Sequence, residues 1–164
     1  MEYFLELFLG GLTRGSIYAL IALGYTMVYG IVQLINFAHG EIYMIGAFTA
    51  LIIASVLSLL GIPTLAIIIL ASLVAVIYSS AYGFTLEKIA YKPLRKAPRL
   101  SALISAIGMS LFLQNYVLLA QTSDFLPFPS LIPDFAFAEP FEHIFASTEI
   151  VIVSTTAVVM ILLT

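Results

Sequence analysis

The residues best equipped for chemistry lie in one hexapeptide, Asn36-Phe37-Ala38-His39-Gly40-Glu41. A carboxamide, an imidazole and a carboxylate stand within it, in apolar surroundings. Such groups are costly at membrane depth and usually face a cavity or a partner. Three readings fit. One is a plain turn at the membrane surface, where His39 and Glu41 are hydrated. Another is a discontinuous helix lining a solute path, as in transporters. There Gly40 supplies flexibility, and Asn36 and Glu41 cap the freed backbone groups. The third is a metal site: His39-x-Glu41 has the spacing of the zinc deaminases, whose cysteine ligands this chain lacks altogether. Without cysteine there is also no disulfide and no thiol nucleophile.

A second constellation is aromatic. Tyr18, Ala22, Tyr25 and Tyr29 share one helical face. The stripe reads either as bundle core, with hydroxyls bonded across helices, or as the lining of a path for an apolar, zwitterionic solute. Gln114-Asn115-Tyr116 is expected to pair with neighbouring helices. Signatures of enzymes are missing: there is no Gly-x-Ser-Gly and no His-Glu-x-x-His. There is also no Gly-x4-Gly-Lys-Ser/Thr to bind nucleotide, so any ATP chemistry belongs to a partner. No cofactor and no metal is expected.

The elements that hold these residues are membrane helices. Residues 42–86 are forty-five positions without Asp, Glu, Lys or Arg. That is too long for one span of about 20 residues and suits two spans joined by a turn, which Gly61-Ile62-Pro63 supplies. Uncharged stretches also cover residues 15–40, 100–123 and 150–164. Charged residues make up 9% of the composition, against about 25% in soluble domains, and the mean hydropathy is +1.14. A net charge of −3 that is not gathered on one surface gives no sign of nucleic-acid binding.

The fold class expected is all-α: a polytopic helical membrane bundle with four complete spans and a fifth cut off by the last residue. The spans are expected at about residues 13–34, 41–60, 64–86, 101–121 and 148–164. The fifth falls short of the usual crossing length, so the chain alone is expected to be poorly stable. The acidic start, Met1-Glu2-Tyr3-Phe4-Leu5-Glu6, is unlike a secretory signal, and the first span reads as retained. All seven prolines fall between the expected helices, as they should where lipid cannot replace a lost backbone bond.

Rows of small residues suggest helix packing, because lipid gives helices no hydrophobic drive to associate and close backbone approach matters instead. Gly11, Gly15 and Ala19 form one row. Ala71, Ala75, Ser79 and Gly83 form another, and Ala102, Ala106 and Ser110 a third. Orientation follows the basic residues. Five of the six lie in residues 88–99, expected as a cytoplasmic loop. Residues 122–148, acidic apart from His143, are expected outside. Counting back puts 61–63 outside, 36–41 inside and the N-terminus outside, with Arg14 near the outer headgroups. A break at mid-membrane would change that last count.

Two stretches carry a family resemblance. Residues 15–30 read Gly-Ser-Ile-Tyr-Ala-Leu-Ile-Ala-Leu-Gly-Tyr-Thr-Met-Val-Tyr-Gly and run on to Asn-Phe-Ala-His-Gly-Glu and Tyr43-Met-Ile-Gly46-Ala. Farther on come Glu87-Lys-Ile-Ala-Tyr-Lys-Pro-Leu-Arg95 and Ile104-Ser-Ala-Ile-Gly-Met-Ser110. These closely resemble the membrane permease subunit of Liv-type ABC importers for branched-chain amino acids, a family with urea and short-chain amide relatives. The resemblance implies a permease working with a second, similar permease subunit, two cytoplasmic ATPase subunits and a periplasmic amino-acid-binding protein. It also implies location in the bacterial inner membrane. Family members are nearly twice as long, and their main ATPase-docking loop lies outside this stretch. The alternative class is a stand-alone secondary transporter or channel, which needs its own coupling-ion site.

Overall fold

The computed structural model describes residues 2–32, 35–121, 124, 126–129 and 147–163. Among these, all regular structure is helical. In chain order the helices are α1 (Glu2–Val32), α2 (His39–Leu59), α3 (Thr64–Leu86), α4 (Arg99–Ala120) and α5 (Ser147–Leu163). Their contacts divide the chain into two units, Met1–Met27 with Ser130–Thr164, and Val28–Pro129.

In the first unit, α1 begins at Glu2, well upstream of the expected limit near residue 13. Glu6 and Arg14 do not interrupt it, because a charged side chain outside the hydrocarbon leaves the backbone ladder intact. An apolar groove here is lined by Leu9, Leu12 and Thr13 of α1 and by Ile150, Val153 and Ala157 of α5. Thr13 Oγ1 donates to Leu9 O at 3.0 Å, so its hydroxyl is satisfied within the helix. The acidic segment 122–148, including His143, lies almost wholly outside the described residues.

The second unit is built around the α2–α3 hairpin. Each helix is long enough to cross: 21 residues of α2 rise about 31 Å at about 1.5 Å per residue. Gly61 ends α2 in the left-handed region, at φ +69°. Its N–H donates to Ser58 O (3.1 Å) and that of Ile62 to Leu57 O (3.3 Å). This is the paired closure that satisfies the last carbonyls of a helix. Pro63, at φ −58° and ψ 139°, then starts α3 without needing an N–H. The two helices lie close. A Cβ on Gly46 would stand 3.6 Å from Ser79 Cβ, and one on Gly83 would stand 3.8 Å from Ile42 Cδ1.

Beyond Leu86 the helical path continues, where the sequence led us to expect a loop. Glu87–Tyr91 forms one wide π turn and Lys92–Leu94 a tight 3-10 turn. Charge alone does not stop a helix. The path ends at Leu94, and Pro98, at φ −54° and ψ 144°, opens α4. The core gathers Ala38, Ile45, Leu86, Ala90, Tyr91, Ala106, Leu113 and Val117, from α2, the end of α3, the π turn and α4. Outside that core, large apolar side chains such as Ile69, Val76, Phe112 and Leu119 point outward along α3 and α4. A surface of that kind suits lipid or further helices.

Candidate functional site

The start of α2 is held by Asn36. Its Oδ1 accepts the Ala38 N–H at 3.0 Å, and its backbone carbonyl accepts the His39 N–H at 3.2 Å. Asparagine favours such a local turn because its short carboxamide can stand in for a backbone carbonyl. Ala38 is fully buried and offers no side-chain cap of its own. Asn36 therefore satisfies a backbone donor that water cannot reach.

The same Oδ1 takes a second donor. Tyr91 O–H, at the end of the π turn, donates to it at 2.6 Å. Tyr91 is 5% exposed, and a buried phenol needs such a partner. The π turn adds a residue to the helical circuit and so rotates the residues beyond it. Tyr91 was not among the residues singled out from sequence. Nothing local marks it, since its partner lies 55 residues away.

Glu41 sits in the first turn of α2, where a carboxylate suits the positive end of the helix dipole. Its Oε1 accepts from Ser110 Oγ on α4 at 2.5 Å. Ser110, read from sequence as a packing position, thus supplies a hydrogen bond between helices. Ala102 and Ala106 of the same row are buried, Ala106 completely. In the α3 row, Ala71 is buried, Ser79 and Gly83 lie against α2, and Ala75 is half-buried. Gly11 and Gly15 of α1 have nothing within 4 Å of an added Cβ among the described residues, and Ala19 is half-buried. The position for a Cβ on Gly40 is open as well. Gly40 is an ordinary helical residue of α2, with no left-handed φ.

A cavity of about 320 Å³ opens beside this hub, lined by Val28, Asn36, His39, Ile42, Ser79, Ser80, Gly83, Glu87 and Tyr91. Glu87 is the only carboxylate among them. Its Oε1 accepts from Arg95 Nη2 at 2.9 Å in a part-exposed ion pair. Lys88 Nζ lies 5.9 Å from the Phe84 ring centre. Among the described residues no three His, Cys, Asp or Glu side chains converge as metal ligands would. The tyrosine stripe is divided between the two units. Tyr18 belongs to the first unit and is 71% exposed, Tyr29 is 50% exposed, and Tyr25 is half-buried. Asn115, expected to pair with another helix, donates from Nδ2 to Leu111 O of its own helix at 2.7 Å. In an apolar setting the carbonyl one turn back is the nearest acceptor.

The family described as branched-chain amino acid transport system / permease component matches residues 7–164. The chain belongs to that family. It is 54% identical over 130 residues to the high-affinity branched-chain amino acid transport system permease protein LivH of Salmonella typhimurium, covering 79% of this chain and 42% of that protein. The LivH of Escherichia coli K12 matches with the same identity and coverage. BraD of Pseudomonas aeruginosa, a permease protein of the same description, is 51% identical over 139 residues, covering 84% of this chain and 45% of its own length. The chain thus spans less than half the length of the curated relatives it matches. No solved structure matches it significantly. Membership of this permease family, with four helices among the described residues long and apolar enough to cross a bilayer, makes the chain a multi-pass membrane protein.

Proposed function

We propose that the chain forms part of the permease subunit of an ATP-driven importer for leucine, isoleucine and valine in the bacterial inner membrane. The observation that carries this is the 54% identity to LivH over 130 residues. The proposed partners are a second permease subunit, cytoplasmic ATPase subunits and a periplasmic amino-acid-binding protein. The outward apolar faces of α3 and α4 support a place among lipid and further helices. In this reading residues 36–41 form a capped helix start beside the solute path, Asn36 and His39 line it, and the Tyr18, Tyr25 and Tyr29 stripe faces a neighbouring helix. Residues 88–99 are cytoplasmic, while 61–63 and 122–148 face the periplasm.

A segment exchange tests the function. The matching 130 residues of E. coli LivH are replaced by those of this chain in cells lacking their own copy. The chimera is expected to restore labelled leucine uptake that requires both ATP and the binding protein, with competition by isoleucine and valine. A membrane-inserted chimera that imports none of the three, or that answers to urea instead, would overturn the reading.

A further inference from the structure

We propose that the cavity beside Asn36 is a binding station for the amino acid itself, on the inner side of the membrane. The proposal rests on the importer reading above and adds a place and an orientation. A free amino acid presents three chemistries at fixed spacing: an ammonium, a carboxylate and, in this substrate class, a branched apolar side chain. The cavity offers a counterpart to each. Glu87 is its one carboxylate, and among the described residues only Oε1 of that group is engaged, by Arg95. That pair is part-exposed, and such pairs hold weakly. A substrate ammonium can therefore share or take over Glu87.

Asn36 also lines the cavity. Among the described residues both of its side-chain bonds use Oδ1, which fixes the carboxamide and leaves Nδ2 as a pre-oriented donor. An N–H donor held in this way suits a carboxylate. Ser79 Oγ already donates to Ala75 O, and Ser80 adds a further hydroxyl. Val28, Ile42 and Gly83 supply the apolar wall. The volume, about 320 Å³, falls at the lower end of the range of small-ligand pockets, about 300–1,000 Å³. A cavity whose polar lining includes one acid, one fixed amide and the His39 imidazole fits a small zwitterion better than it fits an acyl chain.

Substrate protection tests this. Ser80→Cys places a thiol in the cavity of a chain that has no cysteine of its own. Lys96→Cys, exposed in the turn before α4 and outside the cavity lining, is the control. Each variant is alkylated with a small maleimide in inside-out vesicles of the assembled transporter, and modification of this chain is read by its mass. Millimolar leucine is expected to slow alkylation of Ser80→Cys about fivefold and to leave Lys96→Cys unchanged. 4-Methylpentanoate, which is leucine without its ammonium, is expected to protect poorly. Adding Glu87→Gln is expected to abolish protection by leucine.

Undiminished alkylation of Ser80→Cys in inside-out vesicles made from cells that do import leucine would overturn the station and leave the importer reading standing. Equal protection by leucine and 4-methylpentanoate would overturn the role given to Glu87. Failure of cells carrying the unmodified transporter to import any branched-chain amino acid would instead count against the importer reading.

Discussion

Tyr91 and Asn36, 55 residues apart, meet in a 2.6 Å hydrogen bond that joins the π turn after α3 to the start of α2. The acceptor is the same oxygen that holds the Ala38 N–H. One atom thus serves a local turn and a tertiary contact together, so loss of either donor is felt by both.

Tyr91→Phe removes one hydrogen bond and keeps the ring's packing. The expected loss is about 1 kcal/mol, read as a lower midpoint for unfolding of the purified transporter. Asn36→Ala should cost more, because it also strips the Ala38 N–H of its acceptor. The double variant should cost less than the two single losses added together. Strict additivity would show that the bond contributes nothing.

Asn36→Leu is expected to reduce ATP-driven leucine uptake while insertion into the membrane stays normal. It removes the turn at residues 36–38 and leaves the Tyr91 hydroxyl buried without this acceptor, a cost of about 1–3 kcal/mol. Ile35→Leu next to it should be nearly silent, since Ile35 is exposed and apolar. Normal uptake by Asn36→Leu would reduce residues 36–41 to a simple interfacial turn.

Glu41→Gln keeps an acceptor for Ser110 Oγ, whereas Glu41→Leu does not. The glutamine variant should retain most of its stability. The leucine variant and Ser110→Ala should each lose about 1–2 kcal/mol, measured by denaturation in mild detergent. If Glu41→Gln proves the worse of the two Glu41 variants, the carboxylate has a partner besides Ser110.

The glycines make a sharp contrast. Gly61→Ala forces a Cβ into the left-handed region at φ +69° and should cost about 1–2 kcal/mol. Gly40→Ala sits in a helix with open space around the new methyl and should be neutral or stabilising by up to about 1 kcal/mol. Paired thermal unfolding of the two variants checks both signs at once.

Topology can be read with single cysteines. Lys96→Cys should resist an impermeant thiol reagent in intact cells and react after lysis, and Leu60→Cys, at the α2–α3 turn, should react from outside. Equal labelling of both in intact cells would reverse the proposed orientation.

The helices were legible because apolar length is a one-dimensional signal. The uncharged run 42–86 with Gly61-Ile62-Pro63 inside it has few other solutions. The limits at residues 13 and 88 were harder to read, since charge marks where lipid ends and not where backbone hydrogen bonding ends. Asn36 and Glu41 were visible as polar groups in apolar surroundings. Their partners Tyr91 and Ser110 were not, because periodicity gives the face of each helix and leaves the axial register between helices open. That register depends on close contacts such as Gly46 with Ser79.

At the seam of Gly46 with Ser79 and Gly83 with Ile42, α2 and α3 approach to within the width of one methyl group. Tied by the Gly61 turn at one end and by the Tyr91–Asn36 hydrogen bond at the other, the hairpin is fastened at both of its ends.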